Sequence, residues 1–282
     1  MNARIASVAT YVGRDRNEHG VAVEPSLDEV AMAVRVAQKA MAQLTQREMK
    51  PDAIIFATSG IRHVFPSGAA AIAEALGLDC EACDVTAGCA AMGIAVQIGD
   101  RLRSTSLVVC SDLLSQTIDP RDPSHAPLRR FGDGAAAVVI RHDEGPGPKI
   151  LSYRSKTVAR WRPFYGSKQG RLLRSVPPEL KQDLSTTYLQ SWTEIGRSLL
   201  SQCQIGSDPW VYANQGDVKL FPQLMSNLGL RDDRLIRTEH GHAGGADPWI
   251  GFQLNPPPKG TPMLLLSSGI GFTFHGALLE MA

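Results

Sequence analysis

A near-repeat along the chain constrains its fold more tightly than any single motif. Asp52 to Gly60 reads Asp-Ala-Ile-Ile-Phe-Ala-Thr-Ser-Gly and is followed by Phe65-Pro66 and Leu76-Gly77-Leu78. Asp208 to Gly216 reads Asp-Pro-Trp-Val-Tyr-Ala-Asn-Gln-Gly and is followed by Phe221-Pro222 and Leu228-Gly229-Leu230. The closing strands rhyme as well, with a Gly-x-Gly turn leading an apolar strand at 132 to 140 and again at 269 to 279. Repeated order of this kind implies two related α/β halves. Packed face to face, they bury two sheets and bring strand ends from both halves to a shared centre. Gly145-Pro146-Gly147-Pro148 interrupts the pattern and sets the expected boundary, with halves at 1–145 and 146–282.

Within that frame the elements follow from local patterning. Ala3 to Tyr11 reads as an opening strand, and Leu27 to Leu44 carries Ala, Val and Met at helical spacing with Ser26 available as a cap. Asp52 to Ala57 is a continuous apolar run of the kind buried on both faces of a parallel sheet, and Ser67 to Leu76 is an alanine-rich helix ending at Gly77. Thr105 to Cys110 and Gly134 to Arg141 complete the strands of the first half. In the second, Lys149 to Tyr153 is a strand, 160 to 180 reads as irregular and basic, and Leu184 to Leu200 is a helix with Leu189, Trp192, Ile195 and Leu199 on one face.

Composition narrows the function. Among 282 residues, acids and bases are interleaved and the net charge is +1, so the footprint of a nucleic-acid binder or a basic membrane-surface helix is absent. The five cysteines, Cys80, Cys83, Cys89, Cys110 and Cys203, are irregularly spaced and form no disulfide framework, and no signal peptide or long apolar span precedes the first strand. A reducing cytoplasm is the expected compartment. Cys80 and Cys83 make a C-x-x-C, but no second pair or histidine cluster completes a zinc set, so structural cysteines are expected there and neither metal nor cofactor.

Cys89 stands apart. It lies where an extended approach from Cys83 gives way to a small-residue run of helical spacing, Ala90 to Val96. A thiol at that junction is held by the turn and faces the positive end of a helix dipole, which favours the thiolate and makes a nucleophile. Ala87, Gly88, Ala90, Ala91 and Gly93 leave room for a substrate beside it. A buried structural cysteine beside a tightly packed helix is the competing reading.

Four stretches in order, His63-Val64-Phe65-Pro66-Ser67, Asp84 to Cys89, Phe131-Gly132-Asp133-Gly134-Ala135-Ala136 and Gly269 to Leu279, resemble the beta-ketoacyl-acyl carrier protein synthase III group of the thiolase superfamily. The resemblance implies a duplicated α-β-α-β-α layered α/β fold with two mixed five-stranded sheets. It also implies a catalytic cysteine, Cys89, served by a histidine and an asparagine on two loops of the second half. The first loop is Ala213-Asn214-Gln215-Gly216-Asp217, with Asn214 at the family's histidine position. The second is Glu239-His240-Gly241-His242-Ala243, with His242 at the family's asparagine position. The two residue types have changed places. If both loops still reach the sulfur, imidazole and amide remain in one pocket but on exchanged sides of the substrate. Transfer to an amine or a hydroxyl then becomes plausible beside condensation. A loop histidine capping backbone groups is the competing reading for His242, His240 is a rival base, His63 is expected merely to orient the Phe65-Pro66 loop, and His275 to be packed or satisfied by backbone.

Carried over with the resemblance are an oxyanion hole from the backbone N–H groups of Cys89 and Ile270, the latter replacing a glycine. Phe65 matches a residue that closes the partner's acyl pocket across a dimer interface, with a core aromatic as its alternative. Lys219 matches an arginine linked to carrier-protein docking, and Arg160, Arg162, Lys168, Arg171 and Arg174 could add to that surface. The segment Gly13 to Pro25 is short and lacks the family's tryptophan for coenzyme A. The expected partner is therefore an acyl carrier protein or, less simply, an acyl-CoA thioester, within a homodimer or a heterodimer with a homologue, and without nucleic acid or membrane. The expected function is acyl transfer through Cys89 in specialised-metabolite or fatty-acid-related biosynthesis. A low-activity or non-catalytic subunit of a heterodimer is the alternative, and thioester hydrolysis a third.

Overall fold

The computed structural model describes residues 3–45, 50–60, 65–119, 121–203 and 208–282. The first half runs β1 (Arg4–Val12), β2 (Asp15–Arg16), β3 (Ala22–Val23), α1 (Glu29–Met41), β4 (Ala53–Thr58), α2 (Gly68–Leu76), β5 (Glu81–Thr86), α3 (Ala91–Arg101), β6 (Ser106–Leu113) and β7 (Asp133–Arg141). The second runs β8 (Lys149–Thr157), β9 (Tyr165–Lys168), β10 (Arg171–Arg174), α4 (Lys181–Leu200), β11 (Trp210–Ala213), α5 (Phe221–Leu228), β12 (Leu235–Ile236), α6 (Asp247–Leu254), β13 (Pro262–Gly269) and β14 (Thr273–Glu280).

Strand order repeats across the halves. From its outer edge the first reads β5-β4-β6-β7-β1 and the second β12-β11-β13-β14-β8. In each, the outer three strands are parallel and the next two pairings antiparallel. The two five-stranded sheets are not separate, however. β1 and β8 meet at Arg4↔Lys149, with Ile5 N–H donating to Pro148 O and Ile150 N–H to Ala3 O, so ten strands form one sheet.

This seam explains the glycines at the break between halves. A Cβ on Gly147 would lie 2.1 Å from Ile5 O, and one on Gly145 would lie 2.7 Å from the Arg4 guanidinium. Gly147 also takes φ 111°, which an L side chain resists. Gly145 to Pro148 is thus a fitted corner, with Arg4 bonded across it to Asp143 and Pro146 O.

Period-two alternation distributes the apolar strands between layers. Ile55, Ala57, Val108 and Cys110 face a central core with α3 and α6, shared with Tyr212, Met263 and Leu265 of the second half. Ile54, Phe56, Leu107 and Val109 face α1 and α2 on the outside, while α4 and α5 cover the second half through Trp192, Ile195, Leu199 and Leu224. The result is five layers, α-β-α-β-α, with α3 and α6 innermost.

Local readings hold where caps are explicit: Ser67 Oγ accepts from Ala70 N–H and Gly77 closes α2 at φ 64°. The first helix is shorter than its periodicity, and Asp28 rather than Ser26 caps it by accepting from Ala31 N–H. Ser26 instead bonds Glu24, whose buried carboxylate also holds Tyr11 and Arg14. The 160–180 segment is not irregular: it forms a 3-10 turn and the β9/β10 hairpin. Among the described residues no helix is long and apolar enough to cross a membrane.

Candidate active site

The two innermost helices point their N-termini at one place. Cys89 ends the turn after β5, just ahead of α3, and His242 lies just ahead of α6, at the corresponding place in the second half. The approach is tight: a Cβ on Gly88 would fall 2.7 Å from Ile270 N, and one on Gly269 would fall 2.0 Å from Ala87 O. Only glycines allow these two backbones to cross, and the crossing sets Ile270 beside Cys89.

Cys89 is 3% exposed and lines a cavity of about 450 Å³ with Ser59, Asp112, Leu114, Phe131, Leu172 and Ile270. That volume suits a small ligand or a modest acyl chain. The β9/β10 hairpin forms its roof through Tyr165, Ser167 and Leu172, and Arg162 joins the lining. His125 ties this roof down: its Nδ1 accepts from Asp119 N–H and its Nε2 donates to Leu172 O. Arg171 pairs with Asp119 and Arg174 donates to Ser124 O, so these two cations brace the roof rather than standing free on a docking surface. Arg160 donates to Thr187 and stacks over Trp161.

The His242 ring is buried edge-on to Phe131, with Gly216 leaving space for it. Its Nδ1 bonds Asp247 Oδ2, which leaves Nε2 as the ring nitrogen available to the neighbouring Cys89 sulfur. Burial opposes the positive charge on this ring, but the neighbouring sulfur, the Asp247 carboxylate and the hydrogen bond to that carboxylate outweigh it. The proton is held well above the usual histidine range. Asp247 is fully buried, and desolvation alone would raise it; His242 and His240 reverse that and keep it below the usual carboxylate range. The Asp247 oxygens are further fixed by Ala243 N–H at 2.8 Å and Gln215 N–H at 2.7 Å. The arrangement is a thiol, an imidazole and a carboxylate in series.

Asn214 lies close by but is engaged. Its Nδ2 donates to Gly244 O at 2.8 Å and its Oδ1 accepts from Ser268 N–H at 2.6 Å. Its amide therefore ties the His242 loop to β13; like the His242 ring, it sits behind the residues that line the cavity. His240 stands behind Asp247, 3.5 Å from Oδ1, rather than facing the sulfur. His275 is packed, buried against Gly93 and Tyr153, its pKa lowered by burial to about 3, and its Nε2 has no hydrogen-bond partner among the described residues. Phe65 is 90% exposed, which excludes the core reading, Lys219 is exposed, and His63 lies outside the described residues. Cys83 is exposed on β5 while Cys80 packs against the outer core.

Sequence reasoning passed over three residues here. Asp247, five places after His242, has no recognisable signature within Gly-Gly-Ala-Asp-Pro. Ser59 and Asp112 sit at the ends of apolar strands, where a polar residue is the only hint.

A duplicated five-layer α-β-α-β-α arrangement with a thiol at the mouth of an inner helix defines the thiolase class of fold. Residues 83–159 match the family model for 3-oxoacyl-[acyl-carrier-protein] synthase III. The beta-ketoacyl-[acyl-carrier-protein] synthase III of Pectobacterium atrosepticum is 28% identical over 274 residues, covering 91% of this chain and 85% of that one. Among solved structures, the Aquifex aeolicus 3-oxoacyl-[acyl-carrier-protein] synthase III superposes with a TM-score of 0.87 at 20% identity, and Xanthomonas campestris OleA with 0.87 at 16%, each over 99% of both chains. Over most of its length the chain is thus similar to beta-ketoacyl synthase III proteins, and that likeness supports an acyl-condensing type of transferase.

Proposed function

We propose that Cys89 takes an acyl group from a thioester and that the protein passes it to an amine or hydroxyl acceptor. One observation carries this reading: His242, beside the Cys89 sulfur, is held by the buried Asp247 carboxylate, while the Asn214 amide is engaged at each end by the backbone of Gly244 and Ser268. Decarboxylative condensation relies on two neutral donors at the malonyl carbonyl. An imidazole backed by a buried carboxylate is instead a base for a heteroatom nucleophile.

In the first step the Cys89 proton passes to His242 Nε2, the sulfur attacks the thioester carbonyl, and the carbonyl electrons move to oxygen, opposite the N–H groups of Cys89 and Ile270. The intermediate collapses, the donor thiolate leaves, and it takes the proton from His242. In the second step His242 accepts a proton from the attacking N–H or O–H, the new amide or ester forms, and the Cys89 thiolate is expelled. Asn214 is a positioning residue for the His242 loop. Lys219 is a docking point for the donor's carrier protein, and Phe65 closes the acyl pocket of a second subunit. An intact relay disfavours the reading of this chain as a non-catalytic subunit.

The test is single-turnover reaction of enzyme preloaded at Cys89 with matched panels of amines, alcohols and malonyl thioester. The acyl group appears as amide or ester, and malonyl thioester yields no β-ketoacyl product. Release of carbon dioxide with formation of a β-ketoacyl thioester overturns the heteroatom assignment.

A further inference from the structure

The sulfur has a second polar neighbour. Ser59 Oγ lies 3.4 Å from Cys89 Sγ and 3.1 Å from Asp112 Oδ2, so its single proton faces two acceptors. The serine is held rather than free, because its backbone N–H donates to Asp112 Oδ1 at 2.6 Å. Asp112 is itself buried and fixed from the other side by Gly245 N–H at 3.1 Å, with Thr58 Oγ1 and Cys110 Sγ as further donors. Gly244, at φ 65°, leaves no room for a side chain there, since a Cβ would fall 2.0 Å from Asp112 Oδ2. Desolvation raises the proton affinity of Asp112, against the pull of these donors. Ser59, Cys89 and Asp112 all line the same cavity.

We propose that Ser59 is a catalytic residue, a hydroxyl that turns between the Asp112 carboxylate and the Cys89 sulfur as charge on the sulfur rises and falls. Building on the acyl-transfer reading, it acts in both half-reactions. When Cys89 gives its proton to His242, the Ser59 O–H donates to the thiolate; a hydrogen bond to a charged sulfur is stronger than one to a neutral sulfur. Once the sulfur is acylated it is a poor acceptor, and the O–H returns to Asp112. When the acceptor attacks and the C–S bond breaks, the electron pair returns to sulfur and the hydroxyl follows it. No proton leaves Ser59 at any point; the proton exchanged with substrates is the one carried by His242. His242 and Ser59 thus contact the sulfur with different duties, one moving a proton and the other balancing charge.

The discriminating measurement is the rate at which iodoacetamide alkylates Cys89 at pH 7, beside single-turnover rates of acylation and deacylation, in Ser59→Ala and Ser59→Thr. Ser59→Ala slows alkylation and both half-reactions about tenfold, the worth of one charge-assisted hydrogen bond. Ser59→Thr, which restores the hydroxyl, recovers most of the rate. Alkylation in Ser59→Ala within twofold of the parent overturns the proposal, as does an equal loss in Ser59→Thr, which would mark a packing effect. Alkylation needs no substrate, so it decides the role of Ser59 even if no thioester loads the parent enzyme and the acyl-transfer reading fails.

Discussion

Asp247 decides more about the site than any other side chain except Cys89. It takes two backbone N–H groups, His242 and the flank of His240, and lies at the first residue of α6. A carboxylate at a helix N-terminus is favourably placed, and its charge sets the tautomer of His242. In the proposed acyl-enzyme the sulfur carries the acyl group, and Asp247 is left as the main influence holding a proton on the ring. Because the shift of His242 is upward, the ring becomes a competent base only as pH climbs through its raised value. In Asp247→Asn the rising limb of single-turnover deacylation moves to lower pH, and the plateau rate falls a hundredfold or more. A profile with an unmoved limb contradicts the assignment. Cys89 was legible because its neighbours are conspicuously small, and His242 through the exchanged motifs. Asp247 was not, because no spacing announces a carboxylate that acts through a neighbour's ring.

Strands were easier to read than the segments between them. Continuous apolar runs such as Ile54 to Ala57 and Leu107 to Cys110 admit little besides a strand buried on both faces. The β9/β10 hairpin was missed because Tyr165 to Arg174 has no apolar alternation; it is held by His125, Arg171 and Arg174 bonds to the 119–124 loop. Its place as roof of the cavity exists only in three dimensions. β5 shows the opposite exposure: it is a sheet edge and largely exposed, with Phe65 also standing out. An exposed flat edge invites pairing with a second strand. We expect β5 to pair with the β5 of a second copy, giving a light-scattering mass of twice 30.4 kDa that falls to the single value in Cys83→Arg. A monomeric parent protein contradicts this.

At the scale of the molecule, duplication is what the sequence disclosed best. Two Asp-led strands with matching Phe-Pro and Leu-Gly-Leu sequels translate into identical strand orders, and the shared centre is where α3 and α6 meet. The seam between halves was not legible, since two backbone hydrogen bonds and a corner at Gly145 to Pro148 fix it, and a Gly-Pro run reads equally well as a loose linker. Two halves joined this way hold their inner helices at a fixed separation, and each contributes one member of a pair that neither could form alone. The most direct test of that pairing is intact mass after exposure to acyl thioesters of carrier protein and coenzyme A. One acyl increment on the parent protein, absent in Cys89→Ala and strongly slowed in His242→Ala, is the predicted result. No increment with any donor, or an increment that persists in Cys89→Ala, would contradict it.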